Sequence, residues 1–273
     1  MTTTIVAAID NSAAARPVLA VARALALLYD AEVQAVHARE DGQRTARAAA
    51  TAAGVSLRST AAPVIPALLE AARPPEVAAV VLGSRGVGAW SHRAGHVALE
   101  LAGSLPKPLM VVPPDTPTKG AFRRILVPLD GLRRTEAALA EVMTLGARHP
   151  LEIVVLHVHD RDSVPLFSDQ RHHEAEAWTE EFLRRHCPEP ERVAFELRIG
   201  IPGEHVLRVA KDTDADVIAI GWSQDLGAGH AAVVREVLER STIPALLIPI
   251  RAEAELRVAP AATRGGQLLG SRV

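Results

Sequence analysis

The chain lies over itself when displaced by 120 residues. The stretch TIVAAIDNS, Thr4 to Ser12, falls beside RILVPLDGL, Arg124 to Leu132, with Ile5 over Ile125 and Asp10 over Asp130. The same displacement sets AEVQAVHAR, from Ala31, over LEIVVLHVH, from Leu151, and matches Glu32 with Glu152 and His37 with His157. Further on the displacement widens: VVLGSRG meets IAIGWSQ at 138 residues, and KPLMVVP meets IPALLIP at 136. The chain is a duplication with a shorter middle in its first copy, so whatever fold one copy takes is taken twice.

Each copy reads as strands alternating with helices. In the first, apolar runs at Ile5–Ile9, Val33–His37, Val55–Thr60, Val77–Leu82 and Leu109–Val112 alternate with helical patterns at Ala13–Leu28, Gln43–Ala53, Ile65–Ala72 and Gly95–Gly103. In the second, strands at Arg124–Leu129, Glu152–His157, Val193–Ile199, Val217–Ile220 and Ala245–Ile248 alternate with helices near Thr135–Ala147, Asp169–His186, Gly203–Lys211 and Ala231–Arg240. Continuous apolar strands imply parallel pairing, with crossover helices covering both faces. The expected fold is α/β: two tandem, doubly wound, five-stranded parallel sheets. Aromatic residues make up 3% of the chain against 48% hydrophobic, so Ala, Val, Leu and Ile must build these layers at close range. Residues 1–114 and 121–250 read as two domains, Pro113–Gly120 (PPDTPTKG) as the linker, and residues 251–273, which lose periodicity, as a mobile tail.

Several function classes fit poorly. A net charge of −2 and a pI near 6.6 give no basic face for nucleic acid. No apolar run approaches the roughly 18 residues of a membrane helix. The single cysteine, Cys187, cannot close an intramolecular disulfide, and MTTTIVAAID runs straight into a strand pattern without a charged leader, so the expected home is a reducing cytoplasm. No Gly-x-Ser-x-Gly elbow, Walker A lysine or Cys-x-x-Cys offers nucleophilic or redox chemistry.

In an open parallel sheet, ligands bind beyond the carboxyl ends of the strands, where strand order reverses. Those ends carry Asp10, the residue after His37, and Gly83. Gly83, Gly86 and Gly88 let backbone amides approach an anion, Gly95 opens a helix whose start is electropositive, and Arg85 and Arg93 add charged donors. Asp10 reads equally as a ribose ligand or as a cap for the helix that follows. His37 and His157 read as structural histidines rather than general bases. The cluster His157, His159, Asp160, His172, His173 and Glu174 lacks metal-ligand spacing, since adjacent histidines cannot share one helix face, and no metal is expected. Trp90, Trp178 and Trp222 read as packing residues.

The tandem repeat together with ILVPLDG, VLHVHD, RIGIPGEHVLRVAKDTDADVIAIG and GSRGVG…AGH resembles the universal stress protein family over about Thr3–Pro113 and Arg123–Ile250. The resemblance implies a strand order of 3-2-1-4-5, final strands paired between domains as an intramolecular pseudo-dimer, and ATP across the carboxyl edge. It places Asp10 and Ala38 beside adenosine, and Gly83 and Gly86 along the ribose and triphosphate. ATP-binding members carry Gly-x-x-Gly, nine residues, then Gly-Ser or Gly-Thr. Here eight residues separate Gly86 from Gly95, and His96 stands in the hydroxyl position. An imidazole replaces that donor only in part.

The second copy departs further. Gly221 remains, but Trp222 adds bulk, Asp225 adds negative charge, and Ala231-Ala232 replaces Gly-Ser. That site reads as degenerate, and Asp130 as a helix cap or turn former. The functional expectation is a stress-response binding and regulatory protein with ATP in the N-terminal half only, at most slow incidental hydrolysis, and protein partners or homo-oligomers beyond the reach of sequence. The rival readings are a nucleotide-free scaffold acting by oligomerisation or partner contact, and an adenylyl transferase or dehydrogenase, which lacks its signature motif.

Overall fold

The computed structural model describes residues 2–38, 42–84, 95–117, 120–130, 133–159, 181, 193–225, 227 and 231–250. The predicted helix at Asp169–His186, apart from Glu181, and the tail after residue 250 lie outside them.

In the first half, β1 (Thr3–Ala8), β2 (Ala31–Ala38), β3 (Ser56–Thr60), β4 (Val77–Gly83) and β5 (Leu109–Val112) alternate with α1 (Ala15–Leu28), α2 (Arg44–Ala52), α3 (Val64–Ala72) and α4 (His96–Ser104). The second half supplies β6 (Arg124–Leu129), α5 (Arg133–Arg148), β7 (Glu152–His159), β8 (Val193–Ile199), α6 (Pro202–Asp212), β9 (Val217–Trp222), α7 (Ala232–Arg240) and β10 (Ala245–Pro249).

The strand order is β3-β2-β1-β4-β5-β10-β9-β6-β7-β8. Each half has the 3-2-1-4-5 order, parallel throughout, with the reversal beside its first strand. The two five-stranded sheets join into one ten-stranded sheet, because the final strands β5 and β10 pair antiparallel with Met110 opposite Leu246, the pairing that the resemblance implied.

Strand alternation sends successive residues to opposite faces. Ile5, Met110, Ile125 and Leu246 join one core, while their neighbours Val6, Leu109, Leu126 and Leu247 join the other. Both cores draw on both halves, so each face is packed continuously past the seam. Small residues make this close packing work. Ala22, Ala24 and Ala26 on α1 and Ala7, Ala35 and Ala79 on the sheet are all buried in one core, where a larger side chain would force the layers apart.

Polar contacts also cross between the halves. Tyr29, the only tyrosine in the chain, follows α1 and donates its hydroxyl to Glu141 Oε1 on α5 at 2.5 Å. Burial, and then the Glu141 charge, push its ionisation well above the ordinary value. Folding therefore favours the neutral phenol, and the stability it contributes is present below the ordinary pKa of about 10 and declines as pH rises beyond it. Ultraviolet titration of the native protein should show no tyrosinate near pH 11, with the signal emerging only as the chain unfolds; ordinary titration in the folded state would refute the contact.

Candidate functional site

The carboxyl ends of β1 and β4 face the starts of α1 and α4 across a cavity of about 360 Å³. Asp10, Ala38, Gly83, Gly95 and His96 all line it, although 85 residues separate the first from the last. Arg85, Gly86 and Gly88 lie outside the described residues. The apolar wall adds Val18, Val64 and Leu68 from α1 and α3. Sequence reading missed these positions because their apolar character is equally that of core residues. Their place at the helix starts, where helices pass the sheet edge, was the usable signal.

Asp10 forms a turn. Its Oδ1 accepts from the Ser12 amide at 2.9 Å and the Ser12 hydroxyl at 2.5 Å, and Ser12 Oγ in turn accepts from the Ala14 amide at 3.1 Å. The carboxylate is therefore fixed in direction while it lines the cavity, and it orders the turn ahead of α1 without capping that helix, whose N-cap Ala14 has no side-chain cap bond. His37 is buried, with Nδ1 3.0 Å from the Ile9 carbonyl and Nε2 3.2 Å from the Gly42 carbonyl. It pins the strand end that presents Asp10, which is a structural role.

On the opposite wall, the Ser84 amide donates to the Val112 carbonyl and the Gly95 amide donates to the Ser84 carbonyl, both at 2.7 Å. These bonds bring the two ends of the glycine-rich stretch together. They also occupy the Gly95 amide, leaving it the role of N-cap to α4, with extended ψ of 154° and no side-chain cap. The first-turn amides of α4 lie at the cavity wall, where a helix start carries about half a positive charge. The His96 ring is 85% exposed and sits 2.9 Å from Glu100 one turn along. Its imidazole is engaged with that carboxylate on the solvent side.

A second cavity, also about 360 Å³, occupies the corresponding edge of the C-terminal half and is lined by Asp130, Val158, Gly221, Trp222, Ser223 and Ala231 among others. Trp222 adds its bulk to the wall without filling the space. Its indole is 3% exposed, and Nε1 donates to the Ala102 carbonyl at the end of α4, 2.6 Å away. Gln224 Nε2 likewise donates to the Leu105 carbonyl at 2.7 Å. Asp225 is exposed, and its Oδ1 accepts from the Gly227 amide at 2.8 Å.

His157 stands at the end of β7, with Nδ1 3.0 Å from the Leu129 carbonyl and its ring edge-on to His159 at 4.6 Å. Burial chiefly, and then His159, lower its pKa against the opposing pull of the Leu129 carbonyl and Asp130. The folded state thus prefers the neutral ring, and the unfolded chain binds more protons as pH falls through the histidine range. The urea midpoint should drop between about pH 7 and about pH 5, and His157→Gln should flatten that slope; an unaltered slope would assign it elsewhere. No three His, Cys, Asp or Glu among the described residues are grouped to hold a metal ion.

Duplicated doubly wound halves, joined edge to edge with a cavity at each carboxyl edge, define a tandem Rossmann-like α/β protein. Residues 121–249 match the model of the Universal stress protein family. That match covers the C-terminal half, and the N-terminal half repeats the same order of elements. No curated protein sequence matches the chain. Among solved structures, a protein of Pseudomonas aeruginosa UCBPP-PA14 assigned to the universal stress proteins is 13% identical with a TM-score of 0.68, over 91% of this chain and 93% of that one. A protein of unknown function from P. aeruginosa PAO1 is 12% identical with a TM-score of 0.69, over 91% and 93%. A universal stress protein from Archaeoglobus fulgidus DSM 4304 is 16% identical with a TM-score of 0.62, over 90% and 96%. At these identities the likeness is one of fold, and it extends through both halves.

Proposed function

We propose that this chain is a regulatory protein that binds an adenine nucleotide, ATP, in its N-terminal cavity without consuming it as a substrate. The observation that carries the reading is the convergence of Asp10, Ala38, Gly83 and the start of α4 on one space of about 360 Å³, a size that suits a small-molecule ligand. Asp10 would accept from ribose hydroxyls, the Ala38 and Val18 side would receive the base, and the α4 amides would meet phosphate oxygens. The role we read for this site is retention of the nucleotide: Asp10 is engaged with Ser12, and the His96 ring is turned to Glu100 on the solvent side. Its output is a population shift: the ligand stabilises the conformation in which the sheet edge and the α4 start are held together.

The rival reading, a nucleotide-free scaffold, is favoured by the Ser12 contacts on Asp10 and by the turn of His96 toward Glu100. One experiment separates the two. Protein purified without added nucleotide is denatured and the supernatant analysed by mass, and in parallel ATP is titrated while the melting temperature is followed. Binding should raise stability by about 2.7 kcal/mol at a hundredfold excess over Kd. Ala38→Phe, which puts a ring into the cavity, should abolish both signals in a folded protein. A chain that releases no nucleotide and melts at the same temperature with millimolar ATP is a scaffold.

A further inference from the structure

The amino edge of the sheet, opposite the two cavities, differs between the halves. In the first half Lys107 ties the turn after α4 to the turn after α3: its Nζ donates to the Pro74 carbonyl at 2.5 Å and the Val77 carbonyl at 2.6 Å. Burial pulls the pKa of this ammonium down, and the nearby Glu76 charge opposes the shift. The cleft between these turns is an ammonium site that the chain fills with its own lysine.

The second half keeps the cleft and loses the lysine. Val217 faces Ile125 as Ala79 faces Ile5, and Ala245 faces Ile218 as Leu109 faces Val80. Asp212, Asp214 and Ala215 therefore take the places of Pro74, Glu76 and Val77, and Ile243 takes that of Lys107. An isoleucine side chain has no donor. A cleft of about 420 Å³ lies here between the ends of α6 and α7, with Leu207, Lys211, Asp214, Arg240, Thr242 and Ile243 among its lining. The two helix ends bring partial negative charge to it, and Asp214 brings a full one. The turn after α6 already holds one cation, since the Thr213 carbonyl accepts from the Arg124 guanidinium. Lys211 and Arg240 add positive charge to the same cleft, and Arg240 also pairs with Glu236 one turn back. A simple amine would be repelled by these cations, and a simple carboxylate by Asp214 and the helix ends. A molecule that carries both charges is matched at both.

We infer that this amino-edge cleft of the C-terminal half binds a free α-amino acid with an aliphatic side chain. The ligand's ammonium takes the place of the Lys107 ammonium, between the carbonyls of the turn and Asp214. Its carboxylate meets Lys211, and its side chain lies against Leu207 and Ile243. The volume suits a small-molecule ligand. The inference is independent of the ATP reading, which concerns the other edge of the sheet.

Leucine, isopentylamine and 4-methylpentanoate share one side chain and differ only in which charges they carry, so the three separate the contributions of the ammonium and the carboxylate. Each is titrated calorimetrically into the full chain. Leucine should bind, and either analogue should bind about tenfold more weakly, because each lacks one set of charge-assisted hydrogen bonds. Ile243→Lys restores the residue type of the first half, and its ammonium should enter the cleft and abolish leucine binding. Asp214→Asn is the milder variant: Asp214 sits at φ 51°, a conformation that asparagine also adopts readily, so the turn is kept while the charge is lost. It should weaken leucine about tenfold and leave the melting temperature without leucine unchanged. A wild-type chain that gives no heat with millimolar leucine would overturn the inference, and so would isopentylamine binding as tightly as leucine. Undiminished leucine affinity in a folded Asp214→Asn chain would also overturn it, by placing the amino acid elsewhere.

Discussion

Truncation of Leu101 to alanine should cost about 3–4 kcal/mol, because a fully buried leucine loses its transfer energy and leaves a cavity that rigid neighbours cannot close. Leu101 has no exposed surface and lies midway along α4, in the core that joins this helix to β4 and β5. In a chain of this size that loss corresponds to a fall in melting temperature of roughly 10 °C. The effect should reach function as well, since the first turn of the same helix forms a wall of the N-terminal cavity. Urea denaturation measures the stability, and a loss below about 1 kcal/mol would mean that α4 packs loosely, unlike a core helix.

Asp216→Ala should cost about 3 kcal/mol by a different route, since charge-assisted hydrogen bonds are lost and buried donors are left without acceptors. The Asp216 side chain is 7% exposed, and its Oδ2 accepts from the Arg123 amide at 2.7 Å and the Arg124 amide at 3.1 Å. Its own amide donates to the Arg124 carbonyl at 2.9 Å. The residue thereby fastens the start of β6 to the start of β9, the pair that sets the order of the C-terminal half. Asp216→Asn keeps one acceptor and should lose only about a third as much. Equal losses for the two variants, read from urea midpoints, would show that the charge and not the acceptor is what matters.

The carboxyl-edge site was legible only in part. Asp10, Ala38, Gly83, Gly95 and His96 were chosen from strand ends and motif positions, and they do line one cavity. What each side chain does there depends on neighbours that no spacing specifies. His96 stands in the hydroxyl position of the motif, yet its ring finds Glu100 one helical turn away, because residues four apart share a helix face. Trp222 illustrates the same limit. As a residue type it adds bulk to a ligand site. Its position is set by a carbonyl 120 residues away in sequence, and the space beside it stays open. Asp216 lies within the stretch RIGIPGEHVLRVAKDTDADVIAIG, but no role for it could be read there. A buried aspartate is recognised only when the donors around it are seen.

The duplication, the alternation of strand and helix and the parallel pairing were all written in periodicity, because a strand buried on both faces must be apolar throughout and its crossover helix must show an apolar stripe. Those are properties of local segments, and the sequence by itself determined them. The tertiary structure decided that the halves share one sheet and two continuous cores, that Trp222 and Gln224 reach across to the end of α4, and that both carboxyl edges keep a cavity of equal size. These outcomes turn on which groups meet across long stretches of the chain, 120 residues in the case of Trp222 and Ala102. Hydrogen-bond geometry and empty volume exist only once the chain has closed on itself.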